Sequence, residues 1–416
     1  MKRKPLFLSL MLTALAIAVT FSSCKRDEDP TELTLETLVA GEIDLNAAIS
    51  AAGVPTKPTI TATFNTNIDP ATATAANITL IQNYDDTNIE LEITVSGKVI
   101  TITPATVLGT GTMFDLRLHS GLKSTEGLVL TQVSRNFTTT GTFAPAGVIA
   151  HWKFEENAND VTENFNAASG GIVDITYVDS RNQDAGKAAN FNGTTSIIEI
   201  PNGDQLINTQ KFSISLWVRA VPQDKGHFVL GLGAFYGIQF EIFGGLDGAK
   251  FAVHYELEDG TTVAEDMWFP SDATYNATGG WQGWDFARPI PPAEYIAMVS
   301  NNWLHVVYTF NGETRRGILY YNGEKMKSFD FNLWPDGDPK RTVRGMKWGG
   351  QTPDVVNELA FGFVQSRAGT MWDLEPWGGY DFPGANHFKG QLDDVRIFHK
   401  DLTPVEIQLM YNSEKP

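Results

Sequence analysis

Between Lys57 and Gly141 apolar and polar positions alternate in short runs. Thr59-Ile60-Thr61-Ala62-Thr63-Phe64, Ile89 to Val95 and Phe114-Asp115-Leu116-Arg117-Leu118 each have the period of two that a half-buried strand requires. Ser96-Gly97-Lys98 turns the second of these runs into Val99-Ile100-Thr101-Ile102-Thr103. Short strands punctuated by turns over about 100 residues predict a β-sandwich. Residues 31 to 54 are weakly patterned and predict a tether with a first strand. Thr138 to Gly147 is small, polar and proline-bearing, which predicts an interdomain link at 142–147. Near the end Thr403, Pro404 and Glu406 form the N-cap, first position and capping-box partner of a helix.

At the N-terminus Lys2, Arg3 and Lys4 precede an apolar run from Leu6 to Thr20, interrupted by Ser9 and Thr13. That run is short for a membrane-spanning helix of about 20 residues and reads as a signal peptide. It ends in Phe21-Ser22-Ser23-Cys24, which resembles a bacterial lipobox. The resemblance implies a signal peptide over 1–23, lipidation of Cys24, and a membrane partner through that anchor. Lys25-Arg26-Asp27-Glu28-Asp29 resembles the export signal of surface lipoproteins in glycan-scavenging Gram-negative bacteria. It implies an outer-membrane location facing the cell exterior, beyond a tether at 24–44.

Composition narrows the partners. The 416 residues carry 49 acidic and 31 basic side chains, a net charge of −18, so a phosphate-neutralising surface is excluded and nucleic acid with it. A single cysteine permits no internal disulfide. With 42% hydrophobic residues the chain has enough apolar side chains to form cores.

Thr61–Leu80, Thr101–Leu118 and Ser134–Gly141 follow the order of the bacterial Ig-like domain of S-layer type, which the chain resembles over 45–141. The one suggestive triplet there, Glu42-Ile43-Asp44, lacks a second carboxylate because Asn46 and Ala47 follow. The domain reads as a spacer.

Val148–Asn157, Lys187–Asn202, Lys211–Ala220, Asn301–Gly312, Gly317–Met326 and Lys389–Asn412 resemble, in order, the strands of a LamG-like, concanavalin A-type jelly roll over 148–413. The fold class expected is all-β, an Ig-like sandwich followed by this jelly roll. Two stretches, 265–300 and 333–388, exceed the minimal pattern and read as insertions. All ten tryptophans follow residue 150, and seven fall in these stretches. Flat aromatic rings stack on sugar rings while neighbouring polar groups bond hydroxyls. Trp268, Trp281, Trp284, Trp334, Trp348, Trp372, Trp377 and Tyr380 are the candidate carbohydrate contacts. Trp217 alternates with Leu216 and Val218, which leaves open a second packed layer or a groove. The resemblance also implies calcium, with Glu155, Asp160 and Asp393, and Asp394 beside it, as oxygen ligands.

Glucanases of this fold place two carboxylates on one strand as E-x-D-x-E, and no E-x-D occurs after residue 150. The seven histidines show no H-E-x-x-H spacing. The expected function is a cell-surface lipoprotein that binds a polysaccharide or glycoconjugate without being an enzyme, alongside an outer-membrane glycan importer. Adhesion to another protein, and a hydrolase or lyase built from carboxylates distant in sequence, are the alternatives.

Overall fold

The computed structural model describes residues 31–47, 49–271 and 284–416; Cys24 and Trp281 lie outside them. Two all-β sandwiches follow one another, the first as the alternation predicts and the second as the resemblance implies. In the first, the strands Ile43–Asp44, Leu35–Ala40, Ile60–Phe64, Val99–Pro104 and Leu91–Ser96 form one sheet. Ala51–Val54, Val133–Thr139, Met113–Leu118, Ile78–Gln82 and Thr87–Ile89 form the other. Alternate residues such as Ile60, Ala62, Phe64, Ile100, Phe114 and Leu116 face inward and fill the space between.

The sandwich begins earlier than the sequence suggests. Leu35–Ala40 pairs along its length with Ile60–Phe64, and Leu33, Leu38 and Ala40 are buried. Residues 33–44 therefore belong to the folded domain, because two leucines there complete its core. They are not a tether.

The second sandwich packs a nine-stranded sheet on an eight-stranded one. In the first of these, Lys389–Phe398 pairs with Val148–Trp152, Lys187–Asn192 and Lys211–Ala220. In the second, Leu359–Phe361 lies between Ile197–Ile200 and His227–Gly231, followed outward by Ile238–Ile242, Ala249–Leu257 and Thr262–Phe269. Apolar residues from both inner faces form one core, with Trp152, Phe240, Phe251 and Tyr308 among them. Trp217 takes the second-layer option: it points away from that core and is fully buried beneath the helix Pro404–Glu414. There its Nε1 donates to Glu414 at 2.9 Å and its ring stacks on His305 at 4.8 Å.

The insertion boundaries need correction. Thr262–Phe269 pairs residue for residue with Ala249–Leu257, so 265–269 is sheet. Val343–Met346 and Leu359–Phe361 are also sheet strands, too short to show a period in sequence. Nor is the link at 142–147 free. Phe143 is buried against Ile407 and Met410 of the terminal helix and meets the ring of Tyr84, from the first sandwich, edge-on at 5.3 Å. Its N–H donates to Ser413 Oγ at 3.1 Å.

Removing a buried phenylalanine of this kind costs about 3 kcal/mol. Phe143→Ala is expected to uncouple the two sandwiches, giving two resolved calorimetric transitions where the parent chain gives one. A single shared transition in both proteins would count against the latch.

Candidate functional site

The outward face of the eight-stranded sheet follows directly from alternation. Ile238, Phe240 and Ile242 enter the core, which leaves Gln239 and Glu241 on the other side. Phe251 and Val253 do the same for Lys250 and Ala252, and Met267 and Phe269 for Asp266 and Trp268. Register then lines up one row across four strands. Phe228 is opposite Glu241, Glu241 opposite Lys250, and Lys250 opposite Trp268. A second row runs Gln239, Ala252, Asp266.

One end of this face is covered by the chain from Gly362 to Phe388. Phe363, Val364 and Ala385 pack over Ile197, Ala360 and Phe228. The close approach requires Gly231, where a Cβ would sit 2.0 Å from the Val364 carbonyl oxygen. Glu199 pins the segment: it accepts from the N–H of Arg367 at 2.7 Å and from the guanidinium at 3.0 and 2.7 Å. The Tyr380 hydroxyl donates to the Thr195 carbonyl, and His387 Nε2 donates to the Tyr380 carbonyl at 2.8 Å. The His387 ring stacks on Phe363 at 4.3 Å.

This covering segment presents Trp372 and Trp377 as a wall, their rings 5.4 Å apart. Trp377 meets Phe228 at 6.0 Å, and Phe235 meets Trp372 at 5.8 Å. Between wall and sheet lies a cleft of about 340 Å³, lined by these four rings with Gln239, Glu241, Lys250 and Asn386. Trp377 and Phe235 are 39% and 43% exposed, and Trp268, at the far end of the row, is 48% exposed. Large flat rings thus remain in contact with solvent on both sides of a polar floor.

The floor is ionic. Lys250 Nζ lies 3.8 Å from Glu241 and 3.6 Å from Asp266, and it also sits over the Trp268 ring at 5.5 Å. Gln239 Nε2 donates to Glu241 at 3.0 Å. Burial, with the Asp266 charge in support, pushes the Glu241 carboxyl above its ordinary range against the pull of Lys250.

The structure brings Trp372 and Trp377 to this cleft and sets Trp268 at the far end of the row that leads from it. Trp284, Trp334, Trp348 and Tyr380 do not line it, and Trp281 lies outside the described residues. Trp334 is buried, stacked on Phe331 at 4.9 Å and against Trp284 at 4.1 Å. Trp348 is half-buried against the main core, its Nε1 enclosed. Tyr380 is spent on holding the wall. These four fill space under long segments, the packing use of large aromatics. Phe235, Gln239, Glu241, Lys250 and Asn386 were not foreseen. The outward parity of strands Ile238–Ile242 and Ala249–Leu257 was the signal available for three of them.

Calcium on Glu155, Asp160 and Asp393 does not fit their placement. Asp160 is saturated by the N–H groups of His151, Thr162, Asn164 and Phe165 at 2.7 to 3.1 Å, with the Thr162 hydroxyl at 2.5 Å. Asp393 and Asp394 each face the Arg181 guanidinium at 2.5 Å, and Asp394 also meets Arg396 at 3.0 Å. Glu155 accepts from the Lys187 N–H at 3.1 Å. Among the described residues no three His, Cys, Asp or Glu side chains converge as a metal set. Guanidinium groups balance the buried charge that a cation would otherwise balance.

The family model for the bacterial Ig-like domain matches residues 43–139. Those residues form a bacterial Ig-like domain. No curated protein matches the chain. Among solved structures, the binding domain of Paraclostridial Mosquitocidal Protein 1 is similar at 16% identity and a TM-score of 0.41, over 64% of this chain and 52% of that one. The botulinum neurotoxin serotype D ligand-binding domain, in complex with N-acetylneuraminic acid, gives 14%, 0.38, 64% and 51%. Domain 4 of AbnA, a GH43 extracellular arabinanase from Geobacillus stearothermophilus, in complex with arabinotriose, gives 20%, 0.36, 65% and 100%. The chain spans about half the length of the toxin binding domains it matches. At these scores the likeness decides neither fold nor ligand.

Acid should loosen the wall. Burial pushes His387 down to about 4, so it is neutral in the fold, and its enclosed Nδ1 has no partner for a second proton. In the unfolded chain an imidazole titrates near 6.5. Between those values the unfolded state binds more protons, so this contribution is present above about pH 6.5 and lost as pH falls toward 4. Asp393, pushed up by burial and the neighbouring Asp394, acts in the opposite sense. A paired comparison cancels it. The drop in melting temperature from pH 7 to pH 5 is expected to be smaller in His387→Phe than in the parent chain; equal drops would refute this role.

Proposed function

We propose that the cleft and the row leading from it to Trp268 bind a glycan. The observation that carries this reading is the arrangement of one face. Exposed aromatic rings stand at both ends of a cross-strand row, with Gln239, Glu241, Lys250 and Asn386 between them for hydroxyl groups. Stacking supplies area at little entropic cost, and the polar row supplies orientation. The walls are held by Glu199–Arg367 and Tyr380–Thr195 before any ligand arrives, so little ordering remains for binding to oppose.

The proposal extends to the cell surface. The lipobox at Cys24 and the acidic run after it support a surface lipoprotein whose first sandwich spaces the binding face from the membrane, with a glycan importer as partner. Uptake of labelled palmitate by the parent chain and none by Cys24→Ser is the expected outcome; equal labelling refutes the anchor.

Hydrolysis is a second reading that one observation favours. Glu241, with a raised carboxyl, lines the cleft, Asp266 meets the same Lys250 ammonium, and glycosidases use pairs of carboxylates. Lys250 bridges both carboxylates in the structure, which supports a floor that binds rather than one that transfers protons.

Affinity electrophoresis of the full chain in neutral detergent, through gels holding different polysaccharides, tests the binding reading. Trp377→Ala and Trp268→Ala are each expected to weaken retardation at least tenfold in Kd, about 1.4 kcal/mol, with melting temperature unchanged. Retardation unaffected by both substitutions would move the site elsewhere, and reducing-end release from a retarding polymer would favour hydrolysis.

A further inference from the structure

We infer that the ligand is an uncharged glycan chain spanning several sugar rings, and that acidic sugars are rejected. This rests on the glycan reading above and gives it a substrate class. Two independent observations carry it.

The first is charge. An acidic sugar is held by a cation free to meet its carboxylate or sulfate. Lys250 is the ammonium on the floor, and it is already shared between Glu241 and Asp266. Arg367, behind the wall, is committed to Glu199, and Lys225 donates to the Pro383 carbonyl at 3.1 Å. Two carboxylates against one ammonium leave the floor net negative. Asp373 and Glu375, between the two wall tryptophans in sequence, are exposed and add to it. An anionic sugar set on this floor meets repulsion in a partly desolvated cleft, and among the described residues the cation that lines it, Lys250, is already shared between two carboxylates.

The second is length. Phe228, under Trp377, and Trp268 are separated by three strand-to-strand steps, through Glu241 and Lys250. At about 4.8 Å per step the row spans roughly 14 Å. A single sugar ring resting on Trp377 does not reach Trp268. A chain laid across the strands does.

A matched pair of polymers isolates the charge. The full chain in neutral detergent is run through gels holding one neutral polysaccharide that retards it, and then the carboxymethylated form of the same polymer. Polygalacturonate and alginate serve as natural acidic polymers. The expected result is retardation by the neutral form and at least tenfold weaker retardation by the carboxymethylated form at low salt. The gap should narrow in 1 M salt, where the Debye length falls to about 3 Å. Asp266→Lys should shrink it as well. For length, oligosaccharides of the retarding polymer should compete better with each added ring up to several rings. Equal or tighter retention by acidic polymers, lost on Trp377→Ala, would overturn this inference and leave the glycan site standing. So would full competition by a monosaccharide. No retention by any polymer, neutral or acidic, would overturn both.

Discussion

The strand Lys389–Phe398 hydrogen-bonds three others, none of them its neighbour in sequence, and the second sandwich closes only when it docks. Its pairing is disturbed between Ser215 and Trp217, where Asp394 takes a positive φ of 45°. A bulge of this kind lets two consecutive side chains serve one face. Asp393 and Asp394 thereby both reach Arg181, and the helix Pro404–Glu414 seals the cluster with Glu414. Buried charge is costly unless it is paired, so this arrangement fixes the register of the strand as much as it adds stability. The residues just before the strand inherit that position. Phe388 enters the core against Phe191, and Asn386 accepts from the N–H of Gly226, which sets where the tryptophan wall can stand.

The aromatic cleft therefore draws its rigidity from two sources that meet at its edge. The sheet gives the floor its spacing. The terminal strand and Glu199 give the wall its height. Neither source is an interaction with ligand, and the face is preorganised in the sense that matters for affinity: rings and polar atoms are held by contacts on their far sides. The ion pairs of Lys250 belong to the same economy of position, since they keep three outward side chains in one plane.

The pattern of alternation made the first sandwich legible, a family resemblance the second, and the residues of the capping box the terminal helix. Long strands such as Lys211–Ala220 announce themselves because ten residues hold a clear period. Leu359–Phe361 does not, since three residues in the middle of a sheet carry no period at all. The surplus of tryptophan was visible in the sequence, but residue type alone did not separate an exposed ring such as Trp377 from a packed one such as Trp334. What separates them is whether a neighbour arrives on the second face of the ring: Phe331 and Trp284 arrive at Trp334, whereas Trp377 keeps 39% of its surface exposed. The carboxylates of the first strand's loop misled for a related reason. Sequence shows acidic residues but not the four backbone N–H groups that turn Asp160 into the organiser of its own loop.

The link between the sandwiches has a mechanical meaning. With Phe143 seated among Tyr84, Ile407 and Met410, the two domains have little freedom to swivel. The aromatic face keeps a set heading relative to whatever fixes the N-terminal domain. Beads on a slack string sample every orientation and lose most encounters to misalignment. A stiff arm presents the same groove again and again, so a second binding event along one long polymer would find its partner surface already aimed.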